Sequence, residues 1–593
     1  MKISHNYFSD VLVIGGGVAA TRSALAAVTS GAKTIMVLKK SLGSSGSTNW
    51  PRKGIYGSAW QAADGCGGRD DSPDVHFKDI MNAALGMADA KLAKILSQES
   101  PDRLKELESW GFGLIQDPEN KKPHYSGYSC FASQPRAHGM KASSQGGHTG
   151  NLIDVMSKRL KSYGAEIHES VSVIDLLVED NICNGALCIN DDGEFVKYNS
   201  GAVILGTGGA AQIFPLSTTP GDITGDGYAM AIRVGASLTN LEFMQYMVRT
   251  IYSRSKELQQ VLDSQVGGTF WTLNPKIIDS TGKDILGDII PKKSTVEKSF
   301  EMRTHHYPFS SRDASKWIDI AIQRCIRSGM GSNKGGVTID FGDVDLSNIK
   351  QSRPQHSPPD SGPLSLGKDP IKQIDVAHSA HAVNGGIKVD EFGSTDINGL
   401  FAVGETIAGP HGADRLGGGM ISQSSVFGAR AGNQAAKFSQ GSDHIKSSSS
   451  IDRITSRLSR FNSSNGPNYY EVRKKLKSLA AENLIVERNQ KGLDKMYDEV
   501  EELSQETILN APYGDAKAML KNLETENLLM VAKLMIGSAR LRKESRGSHC
   551  RSDYPNIDNT SWDKSIFWSF KDEKLHCDIK KFRQKYHGVN QII

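Results

Sequence analysis

Three apolar runs in this chain end abruptly in glycine. Val11-Leu12-Val13-Ile14 enters Gly15-Gly16-Gly17, Ala202-Val203-Ile204-Leu205 enters Gly206-Thr207-Gly208-Gly209, and Leu400-Phe401-Ala402-Val403 enters Gly404-Glu405. These runs lack the alternation of a half-solvated strand, so the pattern predicts buried strands of the parallel kind. After the first turn, Ser23-Ala24-Leu25-Ala26-Ala27 reads as a helix and Thr34-Ile35-Met36-Val37-Leu38 as the next strand, which gives a βαβ unit. A further turn, Gly225-Asp226-Gly227, opens a helix through Tyr228-Ala229-Met230-Ala231. Helical spacing is clear again from Tyr470-Glu471-Val472-Arg473-Lys474-Lys475-Leu476 onward to about Arg542, and no internal repeat is evident.

The turns carry the first chemistry. Gly15-Gly16-Gly17-Val18-Ala19-Ala20 fits Gly-x-Gly-x-x-Ala. The first glycine permits the tight turn, the next ones let backbone amides approach a pyrophosphate, and the small Ala20 lets the helix pack on the strand with its N-terminus toward the anion. An acidic residue for the ribose hydroxyls is expected at the end of the second strand, where Lys39 and Lys40 stand instead. A different adenosine contact, a phosphate near the lysines and a solvated strand end all remain open. Thr207 with Gly208, Asp226, and Gly404 with Glu405 repeat the theme later in the chain. Four such segments imply one large ligand wrapped by distant parts of the chain, which suits FAD better than NAD.

Composition narrows the rest. With 593 residues, 38% hydrophobic and 23% charged, the chain is long enough for two or three domains. A net charge of +4 from 70 basic and 66 acidic side chains gives no support to a nucleic-acid or membrane-surface partner, while a small anionic substrate is compatible. The 7 cysteines are scattered and never spaced as Cys-x-x-Cys, which argues against a disulfide framework, a zinc site and an endogenous iron–sulfur cluster. His305-His306 has no spaced carboxylate or cysteine partner, so no metal is expected. The first apolar run holds Gly15-Gly16-Gly17 and breaks at Thr21-Arg22-Ser23, unlike a signal peptide. No apolar run approaches the roughly 18 residues that span a bilayer. Membrane insertion is not expected, and the cytoplasm is the default compartment.

Toward the C-terminus, Arg540-Leu541-Arg542-Lys543-Glu544-Ser545-Arg546-Gly547-Ser548-His549, with Arg551 and Asp553-Tyr554-Pro555, is similar to an Arg-x-Glu-Ser-Arg-Gly-x-His…Asp-Tyr-Pro signature. Together with the glycine turns it resembles the flavoprotein family of succinate dehydrogenase, fumarate reductase and L-aspartate oxidase. The resemblance covers most of the chain. It implies an α/β fold with a Rossmann-like FAD-binding domain in two sequence pieces, residues 1–243 and 370–440. An inserted α+β capping domain, 244–369, would carry part of the substrate site. A helical C-terminal domain and tail, 441–593, would follow the serine-rich stretch Gly441 to Ser450, read as a linker.

The resemblance also assigns residues. Ser311-Arg312-Asp313 resembles the segment of the proton-transfer arginine, and His381 with Gly385-Gly386-Ile387 resembles a substrate-binding histidine segment. Arg415, in His411-Gly412-Ala413-Asp414-Arg415-Leu416-Gly417-Gly418, resembles the carboxylate-binding arginine, and Gly419, Met420 and Ile421 beyond it are read as cofactor-binding. Arg415 also stands on its own chemistry, since a planar fork of donors matches a carboxylate. The bland alternatives are a salt bridge from Arg415 to Asp414 or Glu405, a satisfied polar role for His381, and a purely charge-binding role for Arg312, because arginine normally stays protonated.

Departures from the family limit the substrate. Its dicarboxylate enzymes read Glu-Phe-x-Gln-Phe-His-Pro-Thr, whereas this chain reads Glu242-Phe243-Met244-Gln245-Tyr246-Met247-Val248-Arg249-Thr250, with Met247 at the histidine. The family's Gly-Glu-Gly-Gly proton feed is replaced by Gly267-Gly268-Thr269-Phe270-Trp271-Thr272. Met247 and Trp271, if both face the cavity, would make one side of it apolar, and Arg249 could restore charge or sit exposed. Aligning on Gly54-Ile55 puts Ser47, beside Thr48, where succinate dehydrogenases carry the flavin-linked histidine, so non-covalent FAD is expected, with Ser47, Thr48 and Gly54 near it.

The expected activity is therefore that of an FAD-dependent oxidoreductase. It exchanges hydride between flavin and a carboxylate-bearing or other anionic substrate that is not succinate or fumarate. An amino-acid oxidase resembling L-aspartate oxidase, and a flavoprotein subunit passing electrons to a partner subunit or soluble carrier, are the alternatives.

Overall fold

The computed structural model describes residues 2–44, 46–49, 60–61, 71–114, 130–138, 148–251, 271, 273–290, 295–306, 308–342, 365–366, 369–370, 372–441, 448–461, 468–510 and 516–582. Gly54, and all of the segment 267–272 except Trp271, lie outside these residues.

The buried runs form one sheet. Strands β1 (Ile3–Ile14), β2 (Thr34–Val37), β3 (Glu166–His168), β4 (Val171–Glu179), β5 (Ile182–Asn190) and β6 (Phe195–Leu205) take the order β3-β2-β1-β6-β5-β4. The first four in that order are parallel, and β5 and β4 continue the sheet as an antiparallel arm. Val11, Leu12 and Val13 are fully buried. Covering such side chains on both faces contributes roughly 1.5–3 kcal/mol each, which is why the runs need no polar alternation.

Helix α1 (Val18–Thr29) follows the first turn and covers one face with α2 (Gly419–Ser439). These two helices approach closely because α2 presents glycine. A Cβ at Gly432 would lie 2.2 Å from Ser23 O, and one at Gly428 would lie 2.9 Å from Ala19 O.

A second sheet joins three strands of the segment 244–369 to one strand from beyond it, 373–383. β7 (Met244–Thr250), β8 (Lys276–Ile278), β9 (Val337–Asp340) and β10 (Gln373–Val383) are antiparallel in the order β7-β10-β9-β8. Their own core contains Val248, Ile277, Phe300, Ile322 and Val376. Trp271 belongs to this core, 1% exposed, stacked on Phe300 and 5.6 Å from the Arg303 guanidinium carbon. The condition that it faces a cavity is not met: its large apolar surface is packed in this second core. The last strand of the first sheet, β11 (Leu400–Ala402), then returns to pair with β6.

The C-terminal part is mainly helical, with long helices at Gln490–Asn510 and Ala516–Leu541, and closes on a hairpin of Ser565–Lys571 and Lys574–Lys580. Of the stretch expected as a linker, residues 442–447 lie outside the described residues, and its last three begin a helix, Ser448–Ser459. Ser450 Oγ donates to Val178 O at 2.7 Å and its N–H donates to Glu179 Oε1 at 2.9 Å. Serine near a helix start uses its hydroxyl and early N–H on neighbouring groups, which ties this end of the stretch to the first sheet.

The C-terminal signature folds into a buried charge network. Arg542 pairs with Glu242 and Glu544, Arg546 with Glu544, and Arg488 Nη1 meets His549 Nδ1 at 2.7 Å. Burial and the surrounding arginines hold His549 well below the usual imidazole range. Among the described residues no helix is long and apolar enough to cross a membrane.

Candidate functional site

Ile14, Leu205 and Ala402 end in register on adjacent strands, so their three glycine turns converge at one carboxyl edge of the sheet. That is where an open α/β sheet binds ligands. Gly15 has φ +119°, and a Cβ there would lie 2.3 Å from Gly206 O, so two of the turns touch through bare backbone. Gly206 in turn faces Ala20, whose Cβ would be 2.7 Å from an added Cβ. The small residues expected to cradle a pyrophosphate therefore stand against one another, with the start of α1 beside them. Thr48 reaches this turn and accepts the Val18 N–H at 3.2 Å, while Ser47 next to it is exposed.

The other cofactor candidates fall around the same edge. Thr207 Oγ1 lies 3.4 Å from Thr406 Oγ1, and Gly208 O accepts the Thr406 hydroxyl at 3.2 Å. Glu405 accepts the Val383 N–H at 3.1 Å, and burial pushes its carboxyl up to about 7 despite that bond and the Arg415 charge. Gly404 O accepts from Gln423 Nε2 at 2.8 Å, which ties the turn to the first residues of α2, Gly419, Met420 and Ile421. The cradle, the convergence of turns and the two helix starts fit a long dinucleotide such as FAD.

Lys39 has a definite partner set. Its Nζ pairs with Asp226, and donates to Glu524 Oε1 at 3.1 Å and Thr224 Oγ1 at 3.2 Å. These two carboxylates outweigh burial and raise the ammonium above its ordinary value. Asp226 Oδ1 also accepts from Asn527 at 2.7 Å, so Lys39 and Asp226 bind each other and the helical domain. The lysine is neither a solvated strand end nor isolated, whereas Lys40 is exposed and 4.0 Å from Asp222. Glu524 lies hundreds of residues away in sequence, and no local pattern announces it.

Near the insert, Arg415 is 5% exposed and donates Nε and Nη2 to Gln245 Oε1 at 3.1 and 2.8 Å. Among the described residues Arg415 thus meets the neutral amide of Gln245, and no ion pair of it with Asp414 or Glu405 occurs. Along β7, Met247 and Arg249 alternate with Val248, which enters the second core, and the pairing with β10 shifts register between Gln245 and Tyr246, skipping His381. His381, half-buried on the neighbouring strand, joins Thr218 Oγ1 at 2.9 Å through Nδ1. Burial first, then the charges of Arg415 and Arg249, hold its imidazole down to about 3. His381, Arg415 and Arg249 are therefore one electrostatic group.

Arg312 is held differently. Its Nε and Nη2 donate to Asp414 Oδ2 at 3.0 and 2.7 Å, Nη2 donates to Ala83 O at 2.9 Å, and its guanidinium carbon lies 4.4 Å from the Phe131 ring centroid. Ser310 adds its hydroxyl to the same Asp414 oxygen at 2.7 Å. Gln245, Thr218 and Asp414 hydrogen-bond Arg415, His381 and Arg312 respectively, and motif reading left them without roles. Asp414 was visible only as a possible partner for its chain neighbour Arg415. The adjacent signature loop braces this region: Gly547 O accepts the Ser311 N–H at 2.7 Å, and Ser548 Oγ donates to Ala413 O at 2.9 Å. Among the described residues no group of three metal-ligating side chains occurs.

Comparison with known proteins agrees with this geometry. A family described as "FAD binding domain" matches residues 10–421, and one described as "Fumarate reductase flavoprotein C-term" matches residues 473–590. The chain is 30% identical over 580 residues to a subunit of the CoM/CoB fumarate reductase of Methanothermobacter marburgensis, covering 96% of this chain and 98% of that one. It is 26% identical over 611 residues to L-aspartate oxidase of Streptomyces coelicolor, covering 98% and 95%. In fold it is similar to Mycobacterium smegmatis Sdh1, with a TM-score of 0.81 at 24% identity, covering 98% of this chain and 95% of that one. Two converging matches over nearly its whole length place it: the chain belongs to the FAD-dependent oxidoreductase family of fumarate reductase and succinate dehydrogenase flavoproteins and L-aspartate oxidase.

Proposed function

We propose that this flavoprotein transfers hydride between flavin and a carboxylate-bearing or other anionic substrate other than succinate or fumarate, with FAD held non-covalently. The observation that carries the reading is the pairing of Arg415 with Gln245 at the start of the strand that also carries Met247 and Arg249, with the charges of both arginines acting on His381. Arg415, its plane fixed by Gln245, is suited to one carboxylate. Met247 supplies apolar surface where the dicarboxylate pattern needs a histidine, which favours a substrate with one anchored anion and an apolar or bulky remainder. His381 acts as a neutral hydrogen-bonding group oriented by Thr218, and Arg312 supplies charge from the insert. FAD, when bound in the glycine cradle, supplies the electron-pair chemistry.

Anaerobic bleaching or reoxidation of the flavin against succinate, fumarate, aspartate and larger monocarboxylates tests this. Rapid turnover of succinate or fumarate would contradict it, and yellow colour remaining in an acid precipitate would contradict the non-covalent link. Arg415→Ala should abolish turnover with FAD retained. A second reading, in which the protein passes electrons to a partner chain, is favoured by the subunit naming of the Methanothermobacter relative and by the absence of any Cys-x-x-Cys in the sequence. Copurification with an iron–sulfur chain would support it. Air reoxidation of a substrate-bleached homomeric protein would favour the oxidase reading of the L-aspartate oxidase relative.

A further inference from the structure

We propose that Asp414 is the positioning residue for Arg312: it fixes the guanidinium through two donors and leaves Nη1 to meet the substrate anion. The proposal rests on the reading of Arg312 as a substrate-facing charge. Asp414 is 1% exposed, and its Oδ2 collects Nε and Nη2 of Arg312 together with the Ser310 hydroxyl. Two donors on one oxygen fix the guanidinium plane, the Ala83 carbonyl takes the remaining direction of Nη2, and the Phe131 ring closes one face. Phe131 itself has a left-handed backbone, φ +64°, a conformation that bulky residues adopt only where the surroundings impose it. Of the three guanidinium nitrogens, Nε and Nη2 are thus committed, while the side chain stays 23% exposed.

The wiring also spans the seam between parts of the chain. Asp414 holds Arg312, and the next residue, Arg415, is held by Gln245; both partners come from the insert side of the site. One dipeptide of the FAD-binding segment therefore sets where two arginines stand relative to each other. The Asp414 N–H donates to Ala83 O at 3.2 Å, so the same carbonyl that receives Arg312 anchors the dipeptide backbone.

The test uses the full-length protein with FAD bound. Phenylglyoxal needs both terminal guanidinium nitrogens, so its labelling of Arg312, read by peptide mass spectrometry, reports the pairing without any substrate. Asp414→Asn should raise that labelling rate about fivefold or more, and Asp414→Glu, which keeps the charge, should raise it less. With the acid that the wild type turns over, Asp414→Asn should lower kcat about tenfold with KM changed less than about threefold. The double variant with Arg312→Gln should be no worse than Arg312→Gln alone. Ser310→Ala removes the third donor on the same oxygen and should shift labelling in the same direction by less. Unchanged labelling in both Asp414→Asn and Ser310→Ala, or additive losses in the double variant, would overturn the proposal. Full turnover by Arg415→Ala would instead overturn the reading of the site and leave the labelling result for Asp414 standing.

Discussion

Arg542 donates from Nε to Glu242 Oε1 at 2.6 Å, and both side chains are wholly removed from solvent. Glu242 lies just before β7 and Arg542 just after the last long helix, so this pair joins the second sheet to the C-terminal part. Removing one partner of such a pair leaves an uncompensated buried charge, a loss of about 3–5 kcal/mol. Glu242→Ala should therefore lower unfolding free energy in urea by that amount, and a change below about 1 kcal/mol would show that Glu544 alone compensates the arginine.

Glu405 makes apoprotein stability depend on pH in an unusual direction. Its folded value, about 7, lies above the ordinary 4.5, so the native state binds more protons between these values and the group costs stability as pH rises through that window. The cost is absent below 4.5 and reaches about 3 kcal/mol at most above 7. Glu405→Gln should raise the melting temperature of the apoprotein at pH 8 and leave it unchanged at pH 4. An equal gain at both pH values would contradict this account.

His381 should add no charge to anion binding. Its value of about 3 lies below the ordinary 6.5, so its contribution costs stability as pH falls from 6.5, and the imidazole is neutral from pH 5 to pH 8. KM for an anionic substrate should show no tightening from pH 8 to pH 5 that His381→Asn removes. A limb near pH 6.5 present in the wild type and missing in the variant would assign the charge to this ring.

Met247→His should restore the dicarboxylate pattern on a strand that already carries Gln245 and Arg249. The expected outcome in steady-state assays is a rise in kcat/KM for fumarate or succinate of about tenfold or more, the equivalent of one hydrogen bond to a charged group. No gain would mean that Met247 is remote from the substrate.

The glycine turns were legible because each encodes its own geometry: an apolar run, a tight turn, and a small residue where backbone meets backbone. Gly15 against Gly206 is such a case, local at both ends. What stayed hidden depends on distance. Lys39 at a strand end signalled an anomaly, yet its meaning required Glu524 and Asn527 from a helix near the other end of the chain. Asp414 was read beside its neighbour Arg415, but a side chain pairs across space, and its partner came from the insert. Whether Trp271 faces a cavity was left conditional by its chemistry, and only packing shows it in the second core, where apolar burial outweighs exposure.

Strand β6 also has a consequence for biogenesis. Its final residues, Val203 to Leu205, pair with Leu400 to Ala402, which a ribosome makes about 200 residues later. At roughly 5–20 residues per second that is a delay of about 10–40 s, during which the nascent sheet keeps an open edge and the flavin cradle lacks its third turn. Flavin should therefore be acquired late, after the insert has emerged, and the interval is when this protein most needs a chaperone at that edge.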